Sequence, residues 1–425
     1  MNNQLLKINE LYLDNYRYFE DFTITFEEQL TVLIATNGKG KTAILDAIAV
    51  SFGSFVNATG LAKGVTFHRE DVRRFKARDT DSNEMEERYP LTLRAKGSIN
   101  NDNAEWLREF KKPNSSLTTK DTNKLIAYGE KIRNLVTHGE DVMLPLISYY
   151  GTGRLWAQKR ATKNKKKNET SRLSGYIDCL DSLSSYKSFK SWYEYICKSE
   201  FEIKMEALEK AYKILPVNEF TDIRASLQKA VNQVIQNHSG WEDIVYKQQA
   251  ESIIMKHAQH GELLVTQLSD GIRSMIGLVA DIAYRAIKLN PHLKNAPKET
   301  SGIILIDEID MHLHPKWQQT VLTDMIKAFP KMQFIVTTHS PQVLSTVKRE
   351  QIRVLTDNEV RTPSSHSFGL DCARLEKKRE GILSTLKQTI LALENEPEAL
   401  EYFLQEEAMM FPAAYKQTID KTTSL

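Results

Sequence analysis

Residues 31–48 read TVLIATNGKGKTAILDAI, and this stretch decides the fold of the chain. Thr31 to Ala35 is an apolar run long enough for a buried strand and too short for a helix. Glycines follow at 38 and 40, then Lys41 and Thr42, and AILDAIAV reads as a helix running to about Phe52. Strand, glycine-containing loop, Lys-Thr and helix are the parts of a phosphate-binding loop. Glycine lets backbone N–H groups turn inward toward a polyphosphate, and a helix N-terminus adds partial positive charge. Asn37, Gly38, Lys39, Gly40 and Ala43 are therefore candidate ATP contacts. Lys41 would reach the terminal phosphates and the Thr42 hydroxyl would bind Mg²⁺. The usual pattern begins with Gly, whereas position 35 is Ala. The loop needs support from elsewhere in the chain.

Four further features supply it. IILIDE, 303–308, is a buried strand ending in Asp307 and Glu308. An Asp at the carboxyl end of a parallel strand beside a phosphate loop can hold Mg²⁺, and the neighbouring carboxylate can activate an attacking water. LSDG, 268–271, opens a helix at which Ser269 and the N–H groups from Gly271 onward offer an anion site; on its own it reads as an ordinary N-cap. TTHSP, 337–341, ends the next strand with His339, where a neutral imidazole could hydrogen-bond a γ-phosphate. Asp310, His312 and His314 follow the acid pair at once. A metal site from those histidines with His257 and His260 is conceivable, but it is the weaker reading.

Elsewhere the chain alternates strands and helices. Residues 5–30 read as two half-buried antiparallel strands with Arg17 in their turn, and YPLTLRAKGSI as another strand. Residues 101–120 read as polar, leading into an amphipathic helix. LPLISYYGTGRLW, 144–156, reads as a strand and turn. Residues 159–172 carry Lys159, Arg160, Lys163, Lys165, Lys166, Lys167 and Arg172 with almost no hydrophobes, a basic loop able to contact phosphates. Residues 175–260 read as mostly helical, with Phe189, Trp192, Tyr193 and Tyr195 as a core stripe. The pair Glu202 and Lys204 reads as a helix face rather than half of a nuclease motif. Apolar strands alternating with helices imply a parallel sheet covered on both faces.

The bulk numbers bound the class. The chain has 425 residues, 41% hydrophobic and 26% charged, which predicts a folded core. A formal net charge of +2 neither demands nor excludes nucleic acid. Three cysteines without metal or redox spacing point to free thiols in a reducing compartment. No signal peptide or membrane span is visible, so a cytoplasmic location is expected.

ATNGKGKT, LSDG, ILIDEIDMHLHP and TTHS together resemble the ABC-type ATPase heads of the RecF, SMC and Rad50 class. INELYLDNYRYFEDFTITFEEQLTVLIATNGKGKTAILDAI is similar to that class along its length. The resemblance implies an α/β ABC-type P-loop ATPase head with a mixed sheet covered by helices, a helical insertion and a C-terminal helical tail. The corresponding segments are 1–160, 161–260, 261–360 and 361–425. It also implies that heads dimerise on ATP, with Lys41 and Thr42 of one copy and Ser269 of another enclosing one nucleotide. Asp307 would bind Mg²⁺, Glu308 would be the general base, His339 the switch histidine, Asp310 part of the cross-dimer loop and Arg17 an arginine near the nucleotide. Gln158 is a candidate for the family's Mg²⁺-contacting glutamine, and Ile272 departs from the family signature.

SYYGTGRLW and SGYIDCLDSLSSYKSFKSWYEY look like the ATPase subunit of Septu-type and retron-associated anti-phage systems, which work with a separate HNH nuclease. No HNH pattern occurs in this chain. Three outputs fit the motifs: a nuclease-regulating ATPase that forms homo-oligomers, a RecF-like repair ATPase that binds DNA, and a nucleotide-sensing scaffold with little turnover.

Overall fold

The computed structural model describes residues 5–76, 85–113, 122–154, 171–182, 187–209, 218–356 and 359–362. Gln158, the basic residues from 159 to 167, Cys372 and the whole C-terminal tail lie outside the described residues. So do residues 77–84, which include Asp79, Asp81 and Glu84.

The first two strands are β1 (Leu6–Asp14) and β2 (Phe22–Thr25), paired antiparallel with Leu11 opposite Ile24. β3 (Leu30–Ile34) leads through the glycine loop into α1 (Lys41–Ala58). This helix passes the expected end at Phe52 because Phe52, Phe55 and Val56 keep the buried spacing of one helical face. Gly53 permits close packing there: a Cβ would lie 2.0 Å from the Val65 carbonyl oxygen.

A small hairpin, β4 (Arg74–Lys76) and β5 (Met85–Glu87), precedes β6 (Leu91–Ile99) and β7 (Asp102–Phe110). The stretch from 101 to 120, read as polar, thus holds a strand over Asp102–Phe110. Its alternation is disguised by Arg108, which occupies an inward position and donates to the carbonyls of Val50 and Val65. Burial pushes that guanidinium down to about 10. Strands β2-β1-β6-β7 form an antiparallel sheet.

α2 (Asn123–Thr137) and β8 (Leu146–Tyr150) come next. The region expected to be mostly helical holds α3 (Lys187–Glu209) and α4 (Glu219–Ser239), but it ends in strands. β10 (Ser252–His257) pairs antiparallel with β9 (Trp241–Lys247) on one side and with β11 (Gly261–Leu264) on the other. Trp241, Ile244 and Tyr246 are buried, while the charged residues among them hide the strand pattern. In α3, Phe189 and Tyr193 are buried and stack at 5.5 Å, and Trp192 lies 4.9 Å from Tyr284. Tyr195 falls off this face and is 59% exposed, so it is not core.

α5 (Asp270–Leu289) and α6 (Ala296–Glu299) precede β12 (Gly302–Ile306). Then come α7 (Pro315–Gln318), α8 (Val321–Ala328) and β13 (Met332–Thr337). α9 (Pro341–Leu344), β14 (Ile352–Thr356) and β15 (Glu359–Arg361) close the described chain. The central sheet runs β15-β14-β3-β13-β12-β8, parallel except for β15. β3, β12 and β13 are buried almost throughout, as a parallel sheet covered on both faces requires. The outer edge of β8 is closed by main-chain bonds from Tyr149 to Cys179 (2.7 Å) and from Gly151 to Ser182 (3.0 Å). Among the described residues no helix is long and apolar enough to cross a membrane.

Candidate nucleotide site

The site lies at the carboxyl ends of β3, β12 and β13, where α/β sheets place ligands. After β3 the chain takes left-handed backbone at Gly38 (φ 82°) and Gly40 (φ 85°), which glycine adopts without steric cost. Gly40 is doubly required, since a Cβ there would lie 2.5 Å from the Phe19 ring. Ala35 is not among the left-handed residues, so the departure from the glycine pattern creates no backbone strain. Its carbonyl accepts from Lys41 Nζ at 3.2 Å. Lys41 is only 8% exposed. Burial lowers the pKa of its ammonium, against the opposing pull of Asp307, Glu308 and Asp310.

Thr42 Oγ1 donates to Asp307 Oδ2 at 2.8 Å, joining residues 265 apart in sequence. Asp307 is 3% exposed, and its second oxygen accepts from Thr337 Oγ1 at 2.6 Å. The Glu308 N–H donates to the same Thr337 hydroxyl at 2.8 Å. Thr337 thereby fixes both acids at the end of β12. Glu308 sits at φ 48°, a left-handed conformation uncommon for a residue with a Cβ. Such strain persists where the surroundings hold it, and it clusters at functional sites.

The loop after the acids is latched on both sides of His339. Thr338 Oγ1 donates to Asp310 Oδ1 at 2.5 Å, and Ser340 Oγ donates to Gln318 Oε1 at 2.6 Å. His339 itself is exposed between them.

Arg17 also adopts a left-handed backbone, at φ 48°. Its Nε meets Asp71 Oδ1 at 2.8 Å and its Nη1 meets Asp46 Oδ2 at 2.6 Å. Burial opposes its charge, and Tyr16, Asp46 and Asp71 outweigh that effect and raise its pKa. Asp46 follows Thr42 by four residues, one turn along the same helix face. Tyr149 Oη donates to the other Asp46 oxygen at 2.9 Å. Asp46, Asp71, Tyr149 and Thr337 were not among the expected site residues. Only Asp46 had a local signal, its helical spacing from Thr42.

Ser269 is the N-cap residue of α5, exposed and without a side-chain capping bond. Gly271 lies against the loop after β12: a Cβ would be 2.2 Å from the His312 carbonyl oxygen. Neither residue takes part in the hydrogen bonds described around Thr42 and Asp307. The His257 and His260 rings lie 4.4 Å apart, tilted to each other, beside Trp241. Among the described residues no group of three or more His, Cys, Asp or Glu is placed to hold a metal ion.

Comparison with known proteins gives the following. A family model described as an AAA domain matches residues 10–238, and a second AAA-domain model matches 179–345. The chain is 29% identical over 415 residues to the retron Vc95 probable ATPase of Vibrio cholerae serotype O1 biovar El Tor, covering 87% of this chain and 78% of that one. It is 24% identical over 358 residues to the Septu protein PtuA of Bacillus thuringiensis, covering 83% and 76%. A solved Smc head bound to the C-winged helix domain of ScpA is 15% identical, with TM-score 0.48, over 84% of this chain and 96% of that one.

Proposed function

The chain belongs to the AAA-domain family, and on that premise we propose that it is an ATP-binding and ATP-hydrolysing subunit of a cytoplasmic anti-phage defence complex. The carrying observation is the 2.8 Å bond from the Thr42 hydroxyl to Asp307 beside the desolvated Lys41. A small donor, a carboxylate and a buried ammonium at the mouth of a glycine loop suit a magnesium-bound polyphosphate. Mg²⁺ is commonly held by one or two protein oxygens together with phosphates, which fits Thr42 and Asp307. When bound, the ion would offset the charge on the phosphate oxygens.

In this reading the N–H groups from Asn37 to Ala43 cradle the phosphates, and Lys41 neutralises the terminal ones. Glu308 takes the proton of the attacking water, and its place is set by the Thr337 hydroxyl. His339 donates to the terminal phosphate, while Thr338 and Ser340 hold its loop against Asp310 and Gln318. Arg17 is balanced between Asp71 and Asp46, the latter one helical turn along α1 from Thr42. Ser269 and Gly271 belong to the nucleotide of a second copy, with Asp310 near the junction, so the assembly is a homo-oligomer of heads. The output is control of a separate HNH-type nuclease, with DNA contact through the basic stretch 159–172.

Two measurements test this. Glu308→Gln is expected to keep ATP affinity within a few-fold and to lower turnover about 10²–10⁴-fold; unchanged hydrolysis removes Glu308 from its role. Purification with the products of neighbouring genes, followed by a DNA-cleavage assay with and without ATP, tests the output. Recovery of no nuclease and no ATP-dependent cutting would overturn the defence assignment while leaving the ATPase chemistry standing.

A further inference from the structure

Tyr149 and Tyr150 are adjacent at the end of β8, and successive strand residues face opposite sides of a sheet. Both are buried, at 2% and 4% exposure. On one face Tyr149 Oη donates to Asp46 Oδ1 of α1 at 2.9 Å. On the other, Tyr150 Oη donates to Asp281 Oδ2 of α5 at 2.8 Å. Between them, the Tyr150 carbonyl accepts the Asp307 N–H at 2.8 Å. Two residues thus hold the helix that starts at the phosphate loop, the strand end that carries the acid pair, and the helix that starts at Ser269.

Neither hydroxyl is needed to neutralise its carboxylate. Asp46 already has Arg17 at 2.6 Å. Asp281 already has Arg285 Nε at 2.7 Å, and Arg285 in turn donates to the carbonyls of Gly175 (2.8 Å) and Ile177 (2.9 Å). A phenylalanine would fill either place in the core. What the two hydroxyls add is a tie from each helix to the same strand end. Packed interiors pass displacement on rather than absorbing it. α5 is continuous from Asp270 to Leu289, so a shift at Asp281 reaches Ser269 along about 18 Å of helix.

We infer that the Tyr149–Tyr150 pair is a positioning element that transmits occupancy of the phosphate loop in one chain to the Ser269 end of its own α5, preparing that end for the nucleotide of a second copy. The inference rests on the ATPase reading above. A ligand that moves α1 shifts Asp46; Asp46 pulls on Tyr149; the peptide unit carries the shift to Tyr150 and Asp281.

Hydrogen exchange on the full chain tests this, with and without magnesium and a non-hydrolysable ATP analogue, at concentrations below self-association. In the unaltered chain the analogue slows exchange at 40–46 and also at 270–285. In Tyr149→Phe and in Tyr150→Phe the slowing at 40–46 is retained, and that at 270–285 falls at least five-fold. Tyr193→Phe removes a comparably buried hydroxyl, bonded to the Ile244 carbonyl at 2.6 Å, and leaves both signals in place. Persistence of the α5 response in both variants overturns the inference and leaves the ATPase reading intact. So does an unaltered chain that binds the analogue with no response in α5. An unaltered chain that binds no nucleotide overturns both. If one variant does not fold, the other decides.

Discussion

Two charged clusters in this molecule are built on opposite terms. In the helical insertion, Glu200 of α3 is 4% exposed and saturated with partners. Arg224 meets it twice, at 2.6 and 3.1 Å, Lys204 at 2.6 Å and the Thr221 hydroxyl at 3.1 Å. Burial pushes this carboxyl up, and Arg224 and Lys204 more than reverse it, leaving about 2. At the phosphate loop, Lys41 is nearly as buried, yet its ammonium bonds a neutral carbonyl and its pKa is lowered. Thr42 meets Asp307 through a single bond. The insertion uses its charges on one another and gains rigidity. The loop keeps a desolvated cation beside exchangeable partners, an arrangement that gains most from an incoming anion.

The sharpest way to break this contrast is to remove one partner from each side. Arg224→Ala leaves a buried carboxylate with only Lys204 and Thr221, and is expected to cost about 3–5 kcal/mol in denaturant unfolding. Nucleotide affinity should stay within two-fold. Lys41→Ala should do the reverse. Affinity for ATP is expected to fall at least about 100-fold, or about 2.7 kcal/mol. Stability of the nucleotide-free chain should be unchanged or should rise by about 1 kcal/mol, because an unpaired buried charge is gone. Equal losses of stability in the two variants would dissolve the distinction between the clusters.

These clusters also differ in how far the sequence disclosed them. The phosphate loop, acid pair and Thr-Thr-His segment are contiguous strings whose chemistry follows from residue type and order, so Lys41, Thr42, Asp307 and His339 could be singled out in advance. The partners Asp46, Asp71, Tyr149 and Thr337 depend on which loops and strands meet, and a turn arginine such as Arg17 does not announce whether it faces water or two aspartates. The Glu200–Arg224 pair was hidden for the same reason. Strand and helix types were legible where one face is apolar. They were lost at β7 and at β9 and β10, where inward Arg108 and interspersed charges break the period-two pattern. The aromatic stripe of α3 was legible at Phe189, Trp192 and Tyr193, whose three- and four-residue spacing is that of one face; Tyr195 falls between.

Acid titration sharpens the comparison further. The folded pKa of Glu200 lies near 2, below its ordinary value of 4.5. A depressed carboxylate stabilises the fold above the unfolded pKa, and that contribution is lost as pH falls through the window toward the folded value. Roughly 3 kcal/mol should therefore disappear between pH 4.5 and pH 2, and Glu200→Gln should flatten this slope. Lys41 has the opposite sign: its folded pKa lies below 10.5. The unfolded chain holds that proton more tightly, so its contribution to stability rises with pH through the interval just below 10.5. Lys41→Ala should remove that rise. An acid slope that survives Glu200→Gln would mean that other carboxylates, rather than the insertion cluster, carry it.

The smallest expected effect separates two neighbours on α3. Tyr193 is fully buried and its hydroxyl donates to the Ile244 carbonyl, which also accepts from Gln228 Nε2 at 2.9 Å, so Tyr193→Phe should cost about 1 kcal/mol through one lost hydrogen bond with the acceptor still partnered. Tyr195 stands two residues on, 59% exposed, with an edge-on contact to Phe220 at 6.0 Å. Replacing the whole ring in Tyr195→Ser removes far more atoms, yet the change should stay within about 0.5 kcal/mol because most of that surface is already in water. A loss larger than that of Tyr193→Phe would mean that the outer side of α3 packs against something in solution, and the insertion would then owe part of its stability to contacts beyond the Glu200 cluster.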